Sequence, residues 1–313
     1  MKSNNDIVSN LGRVKPKDKA PRNRSVLDSW ISRIESEIDP ARSGHLAWLV
    51  ASTVIAAKLQ SVIDADGKSR FLLKGGTLLQ HKLGLAARAT GDVDGIINGD
   101  IDNFINLLDA ELQINWGTLA FSRTEIETIN TPAKIIKPRR FEIVLSIRGQ
   151  TWRRVVVEIS PDEGRAGSTQ EVFRAPNLAP LGLPSPDYLV GMAMSYQIAQ
   201  KIHGATDPHN PPEYVNYRAR DVVDLVLIKS LIEADGTPSN SEIESAVNDI
   251  FTARANEAKV LARTPRYLPA KVVPYPHWEE DFAEAAKSCN LSISLSEATE
   301  IVNAWINEIA GSD

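Results

Sequence analysis

Two glycines, Gly75 and Gly76, separate the short apolar run Phe71–Leu73 from Thr77–Leu83, which has helical spacing. A Gly-Gly pair breaks an extended segment and opens a helix whose first N–H groups lack partners. Beyond this helix the period changes to two. Ala89–Ile97 reads ATGDVDGII, so Val93 points to one side of a strand and Asp92 and Asp94 to the other. Apolar entry, glycine turn, helix and acid-bearing strand within one short stretch force a sheet carrying helices, with two carboxylates on one face.

The flanking sequence extends this pattern. A helix is expected from Ser25, its N-cap, with Val26, Trp30, Ile34 and Ile38 on the apolar face and Pro40 as its stop. A second helix over 43–64 is apolar nearly all round (AWLVASTVIAAKL) and belongs inside the fold. An amphipathic helix is expected over 100–112, then strands over 119–129, 141–148 and 152–160, the last two joined by a tight turn at Gly149-Gln150. Residues 161–186, rich in Pro and Gly, read as an irregular boundary, and 187–204, 218–234, 241–258, 280–288 and 296–310 read as helices. The fold class is α+β: a mixed sheet with helices, followed by a mostly helical C-terminal part. The expected divisions are a flexible basic arm (1–24), N-terminal helices (25–64), a core (65–165) and a helical domain (187–313).

Thirty-five Lys and Arg against forty Asp and Glu give a net charge of −5, which excludes a protein that coats nucleic acid along its whole surface but permits a local basic footprint. Six Lys or Arg between Arg13 and Arg24 make the N-terminal stretch one candidate for phosphate contact. The run Lys134, Lys137, Arg139, Arg140, Arg148, Arg153 and Arg154 on the expected hairpin is another. A single cysteine, Cys289, excludes an internal disulfide and a Cys-built zinc site, and the reducing cytoplasm is the expected home. No run of 18 apolar residues suggests a membrane span.

The chemistry-bearing residues begin with Asp92 and Asp94, i and i+2 on one strand and about 6–7 Å apart at the backbone. Carboxylate pairs suit Mg²⁺, which takes one or two side chains plus substrate phosphates. Lys74, Gly75, Gly76 and Thr77 offer a lysine and a helix N-terminus for phosphate, although the lysine precedes the glycines and no P-loop spacing is present. A lone DxD or Gly-Gly turn is common in surface loops. Glu158, a carboxylate inside the apolar strand RVVVEIS, narrows the reading, because it must meet a metal or a partner there. A salt bridge at the sheet edge is the structural alternative. Of the five histidines none has metal-ligand spacing; His81 follows the glycine turn and reads as a packed side chain or a neighbour of a base. Tyr214 and Tyr217 read as packing residues or as stacking partners for a base.

The segment FLLKGGTLLQHKLGLAARATGDVDGII resembles the signature of the AbiEii/AbiGii nucleotidyltransferase toxins, within the DNA polymerase β-like nucleotidyltransferase superfamily. AMSYQIAQKIHG resembles the family's lysine-bearing helix and RARDVVDLVLI its RxxDxxDL segment, so the likeness spans about residues 68–232. It implies a polymerase β-like core. Asp92, Asp94 and Glu158 are then the metal carboxylates, with Lys201 and Asp221 beside them in catalysis. Lys74, Gly75, Gly76, Thr77, Arg88 and Lys201 are implied as nucleotide-binding residues, and Asp221 is modestly favoured over Asp224, which reads as a cap or a helix–helix contact. The implied cofactors are Mg²⁺ (or Mn²⁺) and an NTP co-substrate. The implied activity is a toxin that moves NMP to a hydroxyl, with the tRNA 3′ end as acceptor and an antitoxin as partner. Nucleotidylation of a protein or small molecule, and a nucleotide-binding module without turnover, are the alternatives.

Overall fold

The computed structural model describes residues 10–38, 44–84 and 87–311. Helices α1 (Arg24–Ile38) and α2 (His45–Gln60) lead into β1 (Phe71–Lys74), α3 (Gly75–Leu83), β2 (Asp92–Ile97) and α4 (Ile101–Glu111). Strands β3 (Ala120–Arg123), β4 (Glu127–Thr128), β5 (Arg139–Ile147), β6 (Gln150–Pro161), β7 (Gln170–Arg174) and β8 (Tyr188–Met192) follow. The remainder is helical: α5 (Met194–Ala205), α6 (Ala219–Asp235), α7 (Asn240–Val260), α8 (Glu279–Ser288) and α9 (Leu295–Ile309). The strands form one sheet in the order β3-β5-β6-β2-β1-β8-β7, with β4 paired to β5. β2 runs parallel to β6 and antiparallel to β1, so the sheet is mixed, as the α+β reading requires.

Strand parity separates the two faces. Phe71, Leu73, Val93, Val155, Val157 and Ile159 point into a core shared with α1, α2 and α4. Twelve of the sixteen residues of α2 are buried there, as its all-round apolar surface demands. On the opposite face Leu72, Ile96 and Met192 join a second core with the C-terminal helices. Continuing on that same face, β1 and β2 present Lys74, Asp94 and Asp92. The second face is therefore apolar where helices dock and charged beside them, which opens a cleft between sheet and helical bundle.

Several boundaries differ from those read off the sequence. The first helix is capped by Asn23, whose Oδ1 accepts from Val26 N–H at 2.9 Å, and its buried stripe is Leu27, Ile31 and Ile34. Both rows are apolar, and Trp30 and Ile38 take the half-buried flank. The basic stretch is not a free arm from residue 10 onward. Leu11 is fully buried, Lys17 N–H donates to Ala179 O, and the Lys17 ammonium stands over Trp30. Two buried apolar side chains, Leu11 and Pro21, are enough to tie down an otherwise polar segment. The arm's first nine residues and the Pro40 stop lie outside the described residues. The hairpin turns at Arg148-Gly149, both at positive φ, one residue earlier than expected. The 119–129 strand breaks into β3 and β4, and the irregular boundary contains β7. The expected helix at 187–204 begins as β8, where Gly191 lets Leu78 pack against the strand backbone. No helix among the described residues is long and apolar enough to cross a membrane.

His81, near the end of α3, has neither ring nitrogen hydrogen-bonded nor exposed, and its ring lies 5.9 Å from that of Phe173. Burial pushes its pKa down to about 4. Between pH 6.5 and about 4 the unfolded chain therefore binds a proton that the folded chain refuses, so stability falls as pH falls. Full loss of this contribution amounts to ~3 kcal/mol. Urea unfolding at pH 7 and pH 5 is expected to show His81→Leu gaining stability relative to the wild type at the lower pH. A pH-independent difference between the two proteins would refute this assignment.

Candidate active site

The strand register sets four charged residues in one row across the sheet. Lys74 on β1 pairs with Asp94 on β2, Asp94 with Glu158 on β6, and Glu158 with Arg140 on β5. Neighbouring strands lie about 4.8 Å apart, so these side chains crowd one another on a single face. Asp92 sits two residues before Asp94 on the same face, opposite Val156. The parity read from the sequence for Asp92, Asp94 and Glu158 is thus the parity observed. Burial raises the Asp94 pKa to about 7; repulsion from Asp92 adds to this, and Lys74 opposes it. Lys74 donates instead to Ser160 Oγ at 2.7 Å, and burial brings its pKa down to about 8. Glu158 is held by Arg140, whose Nε donates at 2.8 Å.

The glycine turn sits against these acids. Gly75 has φ +67°, and a Cβ there would collide with Asp94 Oδ2. Its peptide is gripped from the helical side by Gln197, whose Nε2 donates to Gly75 O at 2.9 Å and whose Oε1 accepts from Gly75 N–H at 3.2 Å. Gly76 packs within 2.9 Å of Thr90 at its Cβ position, and Thr90 Oγ1 donates to Asp92 Oδ1 at 2.8 Å. Thr77 departs from expectation. It is fully buried and its hydroxyl donates to Asp92 O, so its side chain fastens α3 to β2 rather than facing the cleft.

The helical half contributes a second charged set. Lys201 on α5 is 7% exposed and donates to Asp221 Oδ1 at 2.8 Å and Asp224 Oδ2 at 2.6 Å. Burial works against its charge, but the two carboxylates hold its pKa above the usual range. Asp221, despite its burial, is held below the usual carboxylate range by Lys201 and Arg218. An ammonium has three N–H donors, so one of Lys201's remains for a ligand. Asp224 does not cap a helix. It is 0% exposed and also receives Arg88 Nε at 2.9 Å and Nη2 at 3.1 Å. Spacing alone placed Asp221 and Asp224 on one face of a helix; that a core arginine reaches Asp224 became visible only in three dimensions.

All of these residues except Thr77 and Asp224 line one cleft of ≈ 1430 Å³. Ten Lys or Arg and eight Asp or Glu line it, an excess of positive charge in a chain of net charge −5. Gln197, Arg254, Arg266 and Glu163 are among the lining residues not singled out from sequence. Arg254 and Arg266 both reach His203 Nδ1, at 3.0 and 2.7 Å. Glu163 accepts from Lys134, Gln200 and Arg254. Nothing in the local sequence marks this set, whose partners lie far along the chain.

The basic hairpin is not one surface. Arg140 and Arg154 project on the cleft side of the sheet and pair with Glu158 and Glu142. Arg139 and Arg153 take the other side and pair with Asp102 and Asp28. Lys137 is occupied by the carbonyls of Thr131 and Lys134. Alternation along a strand divides what sequence proximity suggested was continuous.

Among the described residues no three His, Cys, Asp or Glu side chains form a ready metal-binding group. The donor set nevertheless fits a divalent cation. Asp92 and Asp94 share one face, burial and then repulsion from Asp92 disfavour the charge on Asp94, and two carboxylates suffice for Mg²⁺ when phosphates supply further oxygens. Both Arg140 bonds fall on Glu158 Oε1, so Oε2 is the oxygen it can offer a cation.

The family model described as nucleotidyl transferase AbiEii toxin, type IV toxin–antitoxin system, matches residues 58–304. Among solved structures, MenT4, a nucleotidyltransferase toxin from Mycobacterium tuberculosis H37Rv, is similar at 14% identity and a TM-score of 0.47. That match covers 92% of this chain and 98% of the other. No curated protein matches the sequence.

Proposed function

Because the chain belongs to the AbiEii family of nucleotidyltransferase toxins of type IV toxin–antitoxin systems, we propose that this cleft transfers NMP from an NTP to the 3′ hydroxyl of tRNA. Family membership carries the coarser part: a nucleotidyltransferase with an NTP substrate and an antitoxin partner. The acceptor, the metal and the residue roles are our reading. The observation that carries it is the juxtaposition, across one cleft, of the Asp92–Asp94 pair with the Gly75–Gly76 turn and Lys201.

Asp92 and Asp94 would hold Mg²⁺, with Glu158 as third ligand, and a bound divalent cation neutralises charge on the attacking and leaving oxygens. Gly76, at the start of α3, offers backbone N–H groups and the positive end of the helix to the triphosphate. Lys201 directs its remaining N–H at the same group, oriented by Asp221 and Asp224. Arg88, fixed by Asp224, adds a second cation on the core side. The acceptor oxygen attacks the α-phosphorus, the bond from that phosphorus to the bridging oxygen breaks, and pyrophosphate leaves with the electron pair. The hydroxyl proton passes to a carboxylate of the cleft. Catalysis of this kind rests on positioning and charge, with no covalent enzyme intermediate.

The excess of cations lining the cleft supports a polyanionic acceptor over a neutral metabolite. The test supplies each of four α-labelled NTPs with Mg²⁺, total RNA and total cell protein. Label on tRNA is the expected result. Label on protein or metabolite and none on RNA would overturn the acceptor while keeping the chemistry.

A further inference from the structure

Asn216 is fully buried between α5 and α6, yet it belongs to neither helix and takes no part in the chemistry above. Every polar group it has is used. Its Nδ2 donates to Asp207 O at 2.7 Å and to Gly204 O at 3.3 Å, and its Oδ1 accepts from Arg218 N–H at 2.9 Å. Its own N–H donates to His209 Nδ1, and its carbonyl accepts from both His277 Nε2 and Trp278 Nε1 at 2.7 Å. So many bonds on one residue lock a turn whose next member is Tyr217.

What the turn presents is a set of stacked rings. His277 stacks on His209 at 4.6 Å and lies 15° from the plane of Tyr275, and Tyr217 meets His277 edge-on at 5.7 Å. Buried Trp278 supports Tyr275 from below. Tyr217 is 68% exposed and lines the cleft, although a free aromatic ring normally buries itself. Arg218, Arg220 and Arg263 line the same cleft; Arg218 pairs with Asp221, and neither Arg220 nor Arg263 has a carboxylate partner among the described residues. The acids Glu279, Glu280 and Asp281 begin α8 immediately after Trp278, and their charge disfavours a phosphate at that end of the rings.

An exposed ring in a cleft that also presents arginines is how proteins hold unstacked bases of single-stranded nucleic acid. We propose that Tyr217, backed by His277, is a stacking platform for a nucleobase in the single-stranded 3′ end of an acceptor RNA, with Arg220 and Arg263 on its phosphates. This inference rests on the RNA-acceptor reading, and names the surface that delivers the 3′ end.

The test measures fluorescence anisotropy of two labelled RNAs, a hairpin with a four-nucleotide single-stranded 3′ tail and the same hairpin blunt-ended. NTP binding is followed separately by calorimetry. Wild type is expected to prefer the tailed RNA. Tyr217→Ala is expected to weaken tailed binding by about tenfold, within the range for loss of one base–aromatic stack. It should leave blunt-hairpin and NTP binding unchanged, while Tyr217→Phe keeps the wild-type affinity. Arg220→Glu should weaken tailed-RNA binding and flatten its salt dependence. Unchanged tailed binding in Tyr217→Ala, or no wild-type preference for the tail, overturns the platform. A parallel loss of NTP affinity also overturns it, by assigning the ring to the co-substrate's base. Tail preference that depends on Tyr217, together with transferred label found only on protein, would sink the acceptor reading and leave the platform standing.

Discussion

Replacing Asp94 with alanine or asparagine is expected to reduce nucleotide transfer by about a thousandfold or more while leaving the fold intact or slightly more stable. The two effects have opposite signs for one reason. Asp94 lies among Asp92, Glu158 and Lys74, and burial with repulsion from Asp92 pushes its pKa to about 7. A carboxylate whose charged form is disfavoured in the folded protein opposes folding at pH 8, so Asp94→Asn removes an unfavourable term. The same charge is what a transferring phosphoryl group and its cation require, and its benefit appears only as charge develops in the transition state. Label transfer and thermal unfolding at pH 8, measured on the same preparations, check both halves. Near-wild-type transfer would remove Asp94 from the site. A large drop in melting temperature would make it a structural ion-pair residue instead.

The contrast between Asp94 and Asp224 also marks what the sequence could disclose. Alternation was enough to put Asp92 and Asp94 on one face of their strand and Glu158 opposite Val155, Val157 and Ile159 on its own, because side-chain direction along a strand is a local property. The β2–β6 register is what gives the three acids a shared face. The all-round apolar character of α2 likewise announced its burial. Partners were a different matter. Nothing near Glu158 in sequence says that Arg140 will neutralise it, since that depends on the β5–β6 register. Gln197 reads as an ordinary helical glutamine until its amide is seen clamped on Gly75, 122 positions away. Arg139 and Arg140 looked like one patch because the expected strand began at 141, whereas the strand observed begins at Arg139 and alternation divides the two. The segment YLVGM was read as helix because it leads without a break into Met194–Ala205, and only pairing with β1 and β7 makes it a strand.

Asp224→Ala, behind the cleft wall, is expected to cost more stability than any single change among the lining residues, a loss of about 3–5 kcal/mol, together with loss of transfer. Asp224 is wholly buried and is shared by Arg88 and Lys201, one from the core and one from the helical half. Its removal leaves Arg88 without its bidentate carboxylate and Lys201 with Asp221 alone. Breaking a buried pair costs far more than the pair contributes, because the surviving charges stay in a poorly solvated place. Asp221→Ala should be milder, since Lys201 keeps Asp224 and Arg218 remains in contact with solvent. The order Asp224 before Asp221 follows from the helix–helix contact that Asp224 makes with Lys201, and chemical denaturation of the two variants decides it. Adding Arg88→Leu to Asp224→Ala should recover part of the lost stability by removing a stranded cation, but none of the transfer activity. A milder loss in Asp224→Ala than in Asp221→Ala, or no recovery in the double variant, would show that the carboxylate does not join the two halves of the cleft. If both expectations hold, the ion pairs that position Lys201 for the triphosphate are also those that fix the helical half against the core. Any change that loosens the Asp224 contacts then disturbs nucleotide positioning and the closure of the cleft together.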